Sequence, residues 1–249
     1  MARSIDLNSD LGEGAGADAE VMPLVTTANI ACGAHAGDEL TMDATVRLAL
    51  RHGAAIGAHP GYRDRESFGR VPLEISADEL CADLIVQIET LRAIAGRAGA
   101  VVTHVKAHGA LYNRAERDDG VAETIAGAVS EADARLVVVA PAGSAMARAA
   151  AAAGLRLARE GFIDRAYEAD GTLRSRRLSG ALITEPVAAA AQAVSLARDG
   201  VVRAHDGSFL ELEVDTLCVH GDTPGAPGLL RAVRAALVAQ DIALRSFGR

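Results

Sequence analysis

Short apolar runs alternate with helical stretches along nearly the whole chain, and this alternation restricts the fold more than any other feature. Runs with strand character lie near 4–11, 25–32, 54–59, 101–108, 135–141, 156–163 and 216–221. Helical stretches fall near 38–52, 76–98, 118–132, 143–153 and 184–199. The stretch at 76–98 opens with a capping box, Ser76 and Glu79. Its Leu80, Leu84, Ile88 and Leu91 recur at helical spacing. Thr184 and Thr223 are expected to cap helices that begin beside Pro186 and Pro224. HDGSF, 205–209, reads as a hairpin turn with Asp-Gly at its tip. Regular strand–helix alternation implies a parallel sheet with right-handed crossovers. No Ser/Gly/Pro-rich linker divides the chain, so residues 1–249 are expected to form a single domain.

About seven strands can close into a barrel or remain an open, doubly wound sheet. The polar residues favour closure. Side chains alternate faces along a strand. The first strand carries Asp6, Asn8 and Asp10 at a spacing of two, with Ile5, Leu7 and Leu11 opposite. The second carries Asn29 and leads to His35, and the third ends at His59. The fourth places His104, Lys106 and His108 on one face, and the last ends in His220-Gly-Asp222. In an open sheet these groups would be spread over two helix-covered faces. In a barrel they converge at one mouth, where such folds keep their chemistry.

Composition narrows the function. With 33 acidic against 25 basic residues the net charge is −8, and there is no basic run. That argues against a nucleic-acid binder, which needs clustered Lys and Arg to neutralise phosphates. A small-molecule partner fits better. Three cysteines without CxxC spacing suggest reduced thiols and a cytoplasmic protein. The start, MARSIDLNSD, runs straight into a strand, so no signal peptide is expected. No apolar run reaches the roughly 20 residues that span a bilayer.

Six segments carry the candidate chemistry. DLNSDLGEG, residues 6–14, offers Asp6 or Asp10 as a functional carboxylate; the alternative is a solvated turn with a capping Asp. Gly12-x-Gly14-x-x-Ala17 is a loose dinucleotide fingerprint, but Asp6, Asp10 and Glu13 would repel a pyrophosphate. NIACGAHAGD, 29–38, is a Gly-rich loop entering a helix, expected to bring His35 to the mouth; the alternative is a tight turn with a surface His. GAHPGYRD, 57–64, ends a strand at His59, and Arg63, Arg65 and Arg70 follow as possible partners for a substrate carboxylate. In HVKAHGALYN, 104–113, a buried Lys106 demands partners, because an unpaired buried charge is costly. Asp6 and Asp10 can supply them, either within a site or as a structural ion pair of the core. EGFIDRAY, 160–167, adds Glu160, Asp164 and Arg165, and HGDTPGA, 220–226, adds His220 and Asp222. Several His and Asp at one mouth could hold a divalent metal, with Asp10, His59 and His108 as candidates. HExxH and clustered Cys are absent, so no such motif signals one.

Taken together, DLNSDLGEG, NIACGAHAGD, GAHPGYRD with FGR, HVKAHGALYN, EGFIDRAY with RSR, and HGDTPGA resemble the family of 5-oxoprolinase A subunits, also called LamB/YcsF. They run in the family's order from residue 5 to about 228. The resemblance implies an α/β fold, a seven-stranded β/α barrel of the glycoside hydrolase/deacetylase type. It implies ATP-dependent opening of 5-oxo-L-proline to L-glutamate, with ADP and phosphate released. It also implies a complex with the 5-oxoprolinase subunits B and C. Mg²⁺ is expected to accompany ATP. No GxxxxGK[ST] phosphate loop is present, so the barrel mouth or a partner must bind the nucleotide.

Such chemistry needs cations for phosphate and oxyanion, a base for water and an acid for the leaving nitrogen. Lys106 is assigned to phosphate or oxyanion, Asp6 or Asp10 to the base or a Mg²⁺ ligand, and His59 and His108 to the acid/base pair. Arg70 or Arg165 would hold the substrate carboxylate. Asn8, Asn29, His35, Tyr112, His220 and Asp222 complete the expected binding set. Two rival readings stand beside this one. The first is a metal-dependent deacetylase or amidohydrolase on the same barrel. The second is a non-catalytic lactam- or carbohydrate-binding component.

Overall fold

A computed structural model of the protein describes residues 3–14 and 16–247. The two ends of the expected 1–249 domain and residue 15 lie outside the described residues. In chain order the elements are β1 (Ser4–Leu11), α1 (Asp18–Val21), β2 (Thr27–Ala31), α2 (Glu39–His52), β3 (Ala55–His59), α3 (Ala77–Arg97), β4 (Val102–Lys106), α4 (Gly109–Ala115), α5 (Asp119–Asp133), β5 (Val137–Ala140), α6 (Ala145–Ala152), β6 (Arg156–Phe162), α7 (Pro186–Asp199), β7 (Val201–Arg203), β8 (Phe209–Glu211), β9 (Thr216–Cys218), α8 (Ala226–Ala239) and β10 (Ala243–Leu244).

Strands β1 to β6 and β9 pair in parallel, and β9 returns to β1, closing a seven-stranded cylinder. In the closing register Asp6 stands opposite Thr216 and Asn8 opposite Cys218. The outward residues of the strands, among them Leu7, Ile30, Ile56, Val105 and Val138, join the helices in one continuous apolar layer. The inward residues are polar on one side of the cylinder. On the other, Val137, Val139 and Ala158 form a small separate apolar cluster. This division explains how β1 and β4 can alternate so cleanly while lying at the centre of the molecule.

The far end of the cylinder is closed by the chain's last described residues. β10 runs parallel to the start of β1, with Ser4 opposite Ala243. Ser246 then meets the Thr27 hydroxyl, and Phe247 packs against Val137, Val139, Ala158 and the ring of His104. His104 itself fits only because its neighbour is glycine. A Cβ on Gly57 would lie 1.9 Å from His104 Nε2.

Most local signals hold. The Ser76–Glu79 capping box is present, and Asp38, Asp118 and Ser144 cap α2, α5 and α6. The 205–209 turn joins β7 and β8 into an antiparallel hairpin. Two expected caps are corrected. Helix α7 is preceded by Glu185 and makes no side-chain cap bond. Helix α8 is preceded by Gly225, because the Thr223 hydroxyl is drawn instead to Asp164, 2.6 Å away. Among the described residues no helix is long and apolar enough to cross a membrane. The three cysteines are free.

Candidate active site

The barrel interior is a stack of hydrogen-bonded layers. At the bottom, Asp6 accepts hydroxyl bonds from Thr26 (2.6 Å), Thr27 (2.5 Å) and Thr216 (2.5 Å). Burial pushes its carboxyl up to about 6, and the three hydroxyls hold it back from rising further. Above it, Asn29 donates to Asn8 Oδ1 and Asp10 Oδ1, each at 2.8 Å, and its own carbonyl accepts from His104 Nε2 at 2.9 Å. Burial, reinforced by Lys106, lowers His104 to about 3, so it is a neutral spacer.

Lys106 is the hub. Its Nζ lies 2.9 Å from Asp10 Oδ1, 2.8 Å from Glu160 Oε1 and 3.2 Å from Cys218 Sγ. These residues come from β4, β1, β6 and β9, and only the inside of a closed cylinder lets all four meet. Burial by itself would deprotonate the amine, but Asp10, Cys218 and Glu160 outweigh it and hold the pKa well above the usual lysine range. The converse holds for Asp10, which His59 and Lys106 keep well below the usual carboxylate range despite its burial. Asn8 and Tyr112 complete the arrangement, donating to Glu160 at 3.0 and 2.7 Å.

Beside this hub the rim gathers imidazoles. His59 donates from Nδ1 to the Lys106 carbonyl at 2.7 Å, which turns Nε2 toward Asp10 Oδ2 (3.5 Å) and His108 Nδ1 (3.0 Å). His108 donates from Nε2 to the Phe68 carbonyl at 2.9 Å. His35 stacks flat on His108, with ring centres 3.6 Å apart, and Glu13 Oε1 reaches both. Burial lowers His35 to about 4 and also lowers His108. In His59 the carboxylates of Asp10 and Glu13 outweigh burial and raise it.

Across the mouth, Asp164 Oδ2 accepts from His220 Nδ1 at 2.9 Å, from the His220 backbone N–H at 3.0 Å and from the Thr223 hydroxyl. Burial would raise Asp164, but His220 and these bonds lower it. The His220 ring lies nearly parallel to Phe162 and leaves Nε2 for the open side. A cavity of about 760 Å³ lies between the two rims, lined by Asp10, His59, Lys106, His108, Tyr112, Phe162, Arg165 and His220, with Arg70, Arg176 and Arg177 farther out. Arg165 is 6% exposed, donates to the Arg174 carbonyl, and leaves its buried Nε without a partner.

The structure therefore brings most of the expected residues together, and redirects some. Asp6 lies below the cavity and does not line it, because three hydroxyls and the Asn8–Asn29 layer cover it. Asn8 and Asn29 are likewise structural links under the floor. Arg70 and Asp222 pair with each other rather than standing free for substrate. Of the metal candidates, His59 and His108 group with Glu13 and His35, while Asp10 Oδ1 is held by Lys106 and Asn29. Sequence reasoning used Glu13 only as a charge that would repel a pyrophosphate, and gave no role to Glu160, Asp164 or Phe162. A usable signal existed: in DLNSDLGEG the acid at 13 follows Gly12, whose positive φ of 75° folds the chain back over the mouth. His104 and His108 also stand in HxxxH spacing, but His104 lies a layer lower and faces Asn29.

A closed parallel barrel with its polar groups gathered at one mouth is the deacetylase-type architecture. A T48 deacetylase superposes with a TM-score of 0.51 at 11% identity, over 98% of this chain and 87% of that one, a likeness of fold alone. The sequence gives the finer placement: the LamB/YcsF family profile matches residues 5–249, and the chain belongs to that family. It is 50% identical to the 5-oxoprolinase A subunit of Methylococcus capsulatus, over 100% of this chain and 97% of that protein. It is 49% identical to the 5-oxoprolinase A subunit of Symbiobacterium thermophilum, over 99% and 96% respectively. The crystal structure of a lactam utilization protein from Thermus thermophilus superposes with a TM-score of 0.93 at 42% identity, over 98% of this chain and all of that one.

Proposed function

We propose that the protein is the A component of an ATP-dependent 5-oxoprolinase, acting with B and C subunits to open 5-oxo-L-proline to L-glutamate. The observation that carries this reading is Lys106, a buried cation between two carboxylates at the base of a polar cavity. A lactam carbonyl is a poor electrophile. Transfer of the ATP γ-phosphoryl group to the amide oxygen releases ADP and makes the ring carbon electrophilic. Water then adds to that carbon, the C–N bond breaks, and a second water carries the phosphoryl group away as phosphate. The sum is 5-oxoproline, ATP and two waters giving glutamate, ADP and phosphate. Mg²⁺ carried with ATP would offset phosphate charge.

The residues suit these roles. Lys106 faces the amide oxygen or the transferred phosphoryl group, where a fixed positive charge stabilises developing negative charge. Asp10 Oδ2, the oxygen not taken by Lys106, is placed to accept a proton from water. His220, oriented by Asp164, presents Nε2 to protonate the leaving nitrogen, the arrangement of a base held by a carboxylate. Arg165 takes the substrate carboxylate through its unpartnered Nε. The chain carries no phosphate loop, so the nucleotide is bound either by the barrel mouth or by a partner subunit.

The test is reconstitution: combine this chain with its B and C partners, supply 5-oxoproline and ATP, and measure glutamate and ADP together, omitting each component in turn. Equal amounts of both products, dependent on all three chains, are expected. Glutamate formed without ADP would instead support a metal-dependent amidohydrolase, which the rim imidazoles favour. Undiminished turnover without this chain would reduce it to an accessory.

A further inference from the structure

The rim cluster has a property the ring-opening scheme does not use: one of its closest contacts sets two acceptors, His108 Nδ1 and Glu13 Oε1, face to face. His108 in its neutral form has one ring proton, and the Phe68 carbonyl takes it at Nε2. Its Nδ1 lone pair therefore faces Glu13 Oε1 at 3.1 Å and His59 Nε2 at 3.0 Å. The Lys106 carbonyl likewise fixes the Nδ1 proton of His59. A proton on His59 Nε2 relieves its contact with His108 but leaves the lone pair of His108 Nδ1 against the Glu13 carboxylate. His35 Nε2 closes the group, 3.0 Å from the same Glu13 oxygen.

We infer that Glu13, His35, His59 and His108 form a divalent transition-metal site, with Zn²⁺ the ion of first choice. The four ligand atoms lie within 4.8 Å of one another, and four of their separations are 3.0, 3.0, 3.1 and 3.7 Å. Ligands about 2.0–2.1 Å from a tetrahedral zinc stand about 3.3–3.4 Å apart. Three imidazoles and one carboxylate are ligands of the borderline kind that such ions prefer. Two of the imidazoles have their outer nitrogens bonded to backbone carbonyls, the usual support for a ligating histidine.

The topology is equally specific. Four consecutive strands, β1 to β4, each contribute one ligand at or just beyond their C-terminal end. The flat His35–His108 stack that brings two of them together needs Gly69, where a Cβ would stand 2.9 Å from His35 Cβ and 3.0 Å from His108 Cδ2. Phe68, which supplies the carbonyl to His108, has a φ of 56°, a left-handed conformation uncommon outside glycine. The second grouping of possible ligands, Asp10, Cys218 and His220, does not compete. The ammonium of Lys106 already contacts Asp10 and Cys218 there.

The experiment uses the purified chain alone, stripped with chelator, then titrated with Zn²⁺ and, separately, Co²⁺. Mass spectrometry should find about one Zn²⁺ per chain, and Co²⁺ should give the intense visible bands of a tetrahedral N/O site. Glu13→Gln and His35→Gln should each weaken binding by at least about tenfold, while Asp10→Asn keeps the stoichiometry. Circular dichroism confirms that each variant is folded, and the wild-type Co²⁺ spectrum needs no variant. Failure of the stripped chain to take up either ion would overturn the assignment. So would binding lost in Asp10→Asn but kept in His35→Gln. Neither substrate nor nucleotide is present, so the result stands apart from the outcome of the ring-opening assay.

Discussion

Replacing Lys106 by Met keeps an unbranched stem of similar bulk and removes the terminal charged nitrogen. Lys106, Asp10 and Glu160 are 2%, 5% and 4% exposed, so the substitution strands carboxylates that water cannot reach. Removing one partner of a buried ion pair costs about 3–5 kcal/mol. An unfolding entropy of about 2.1 cal/mol/K per residue, taken over 249 residues, makes each kcal/mol worth roughly 2 °C. Lys106→Met should therefore lower Tm by about 6–10 °C at pH 7.5 by calorimetry. Adding Glu160→Gln removes one of the two stranded charges and should restore part of the loss, since contacting groups are not additive. Acidification should narrow the gap between Lys106→Met and wild type, because Asp10, no longer held down by Lys106, takes up a proton more readily. A single variant within about 2 °C of wild type, or a double variant no more stable than the single, would refute the claim that Lys106 holds this interior together by charge.

Three further outcomes are expected. Asp6 has its carboxyl raised from 3.8 to about 6. Its contribution to stability is thus full below pH 3.8 and is lost as pH rises through about 6, so Asp6→Asn should gain about 2 kcal/mol on wild type between pH 4.5 and 7.5 in urea titrations. Asp164→Asn should lower kcat of the reconstituted complex by about a hundredfold or more with little change in KM, because His220 loses its orienting carboxylate; steady-state kinetics decide this. Gly57→Ala should destabilise by about 1–3 kcal/mol, since the added methyl collides with the His104 ring, and His104→Ala in the same chain should recover part of that in thermal melts.

What could be read from the chain followed the physics of each signal. The alternation of apolar runs and helices was enough for the parallel sheet, because crossovers leave few other arrangements. The spacing of Asp6, Asn8 and Asp10, matched by His104 and Lys106, was enough for closure, because charged residues on a central strand need an enclosed polar interior. Depth within the cylinder was not legible. Asp6 and Asp10 look equivalent in one dimension, yet four residues of rise separate a floor group locked by threonines from one that faces the cavity. Pairing at long range was equally hidden: nothing near Arg70 announces Asp222, 152 positions away. Thr223 shows the same limit, since a hydroxyl suited to capping was claimed by a carboxylate from the loop after β6.

Phe247 and Ser246 stopper the cylinder opposite its mouth, which makes the barrel a cup and not a pipe. Whatever enters must back out past the same lip. A companion protein seated on that lip would control traffic in both directions at once.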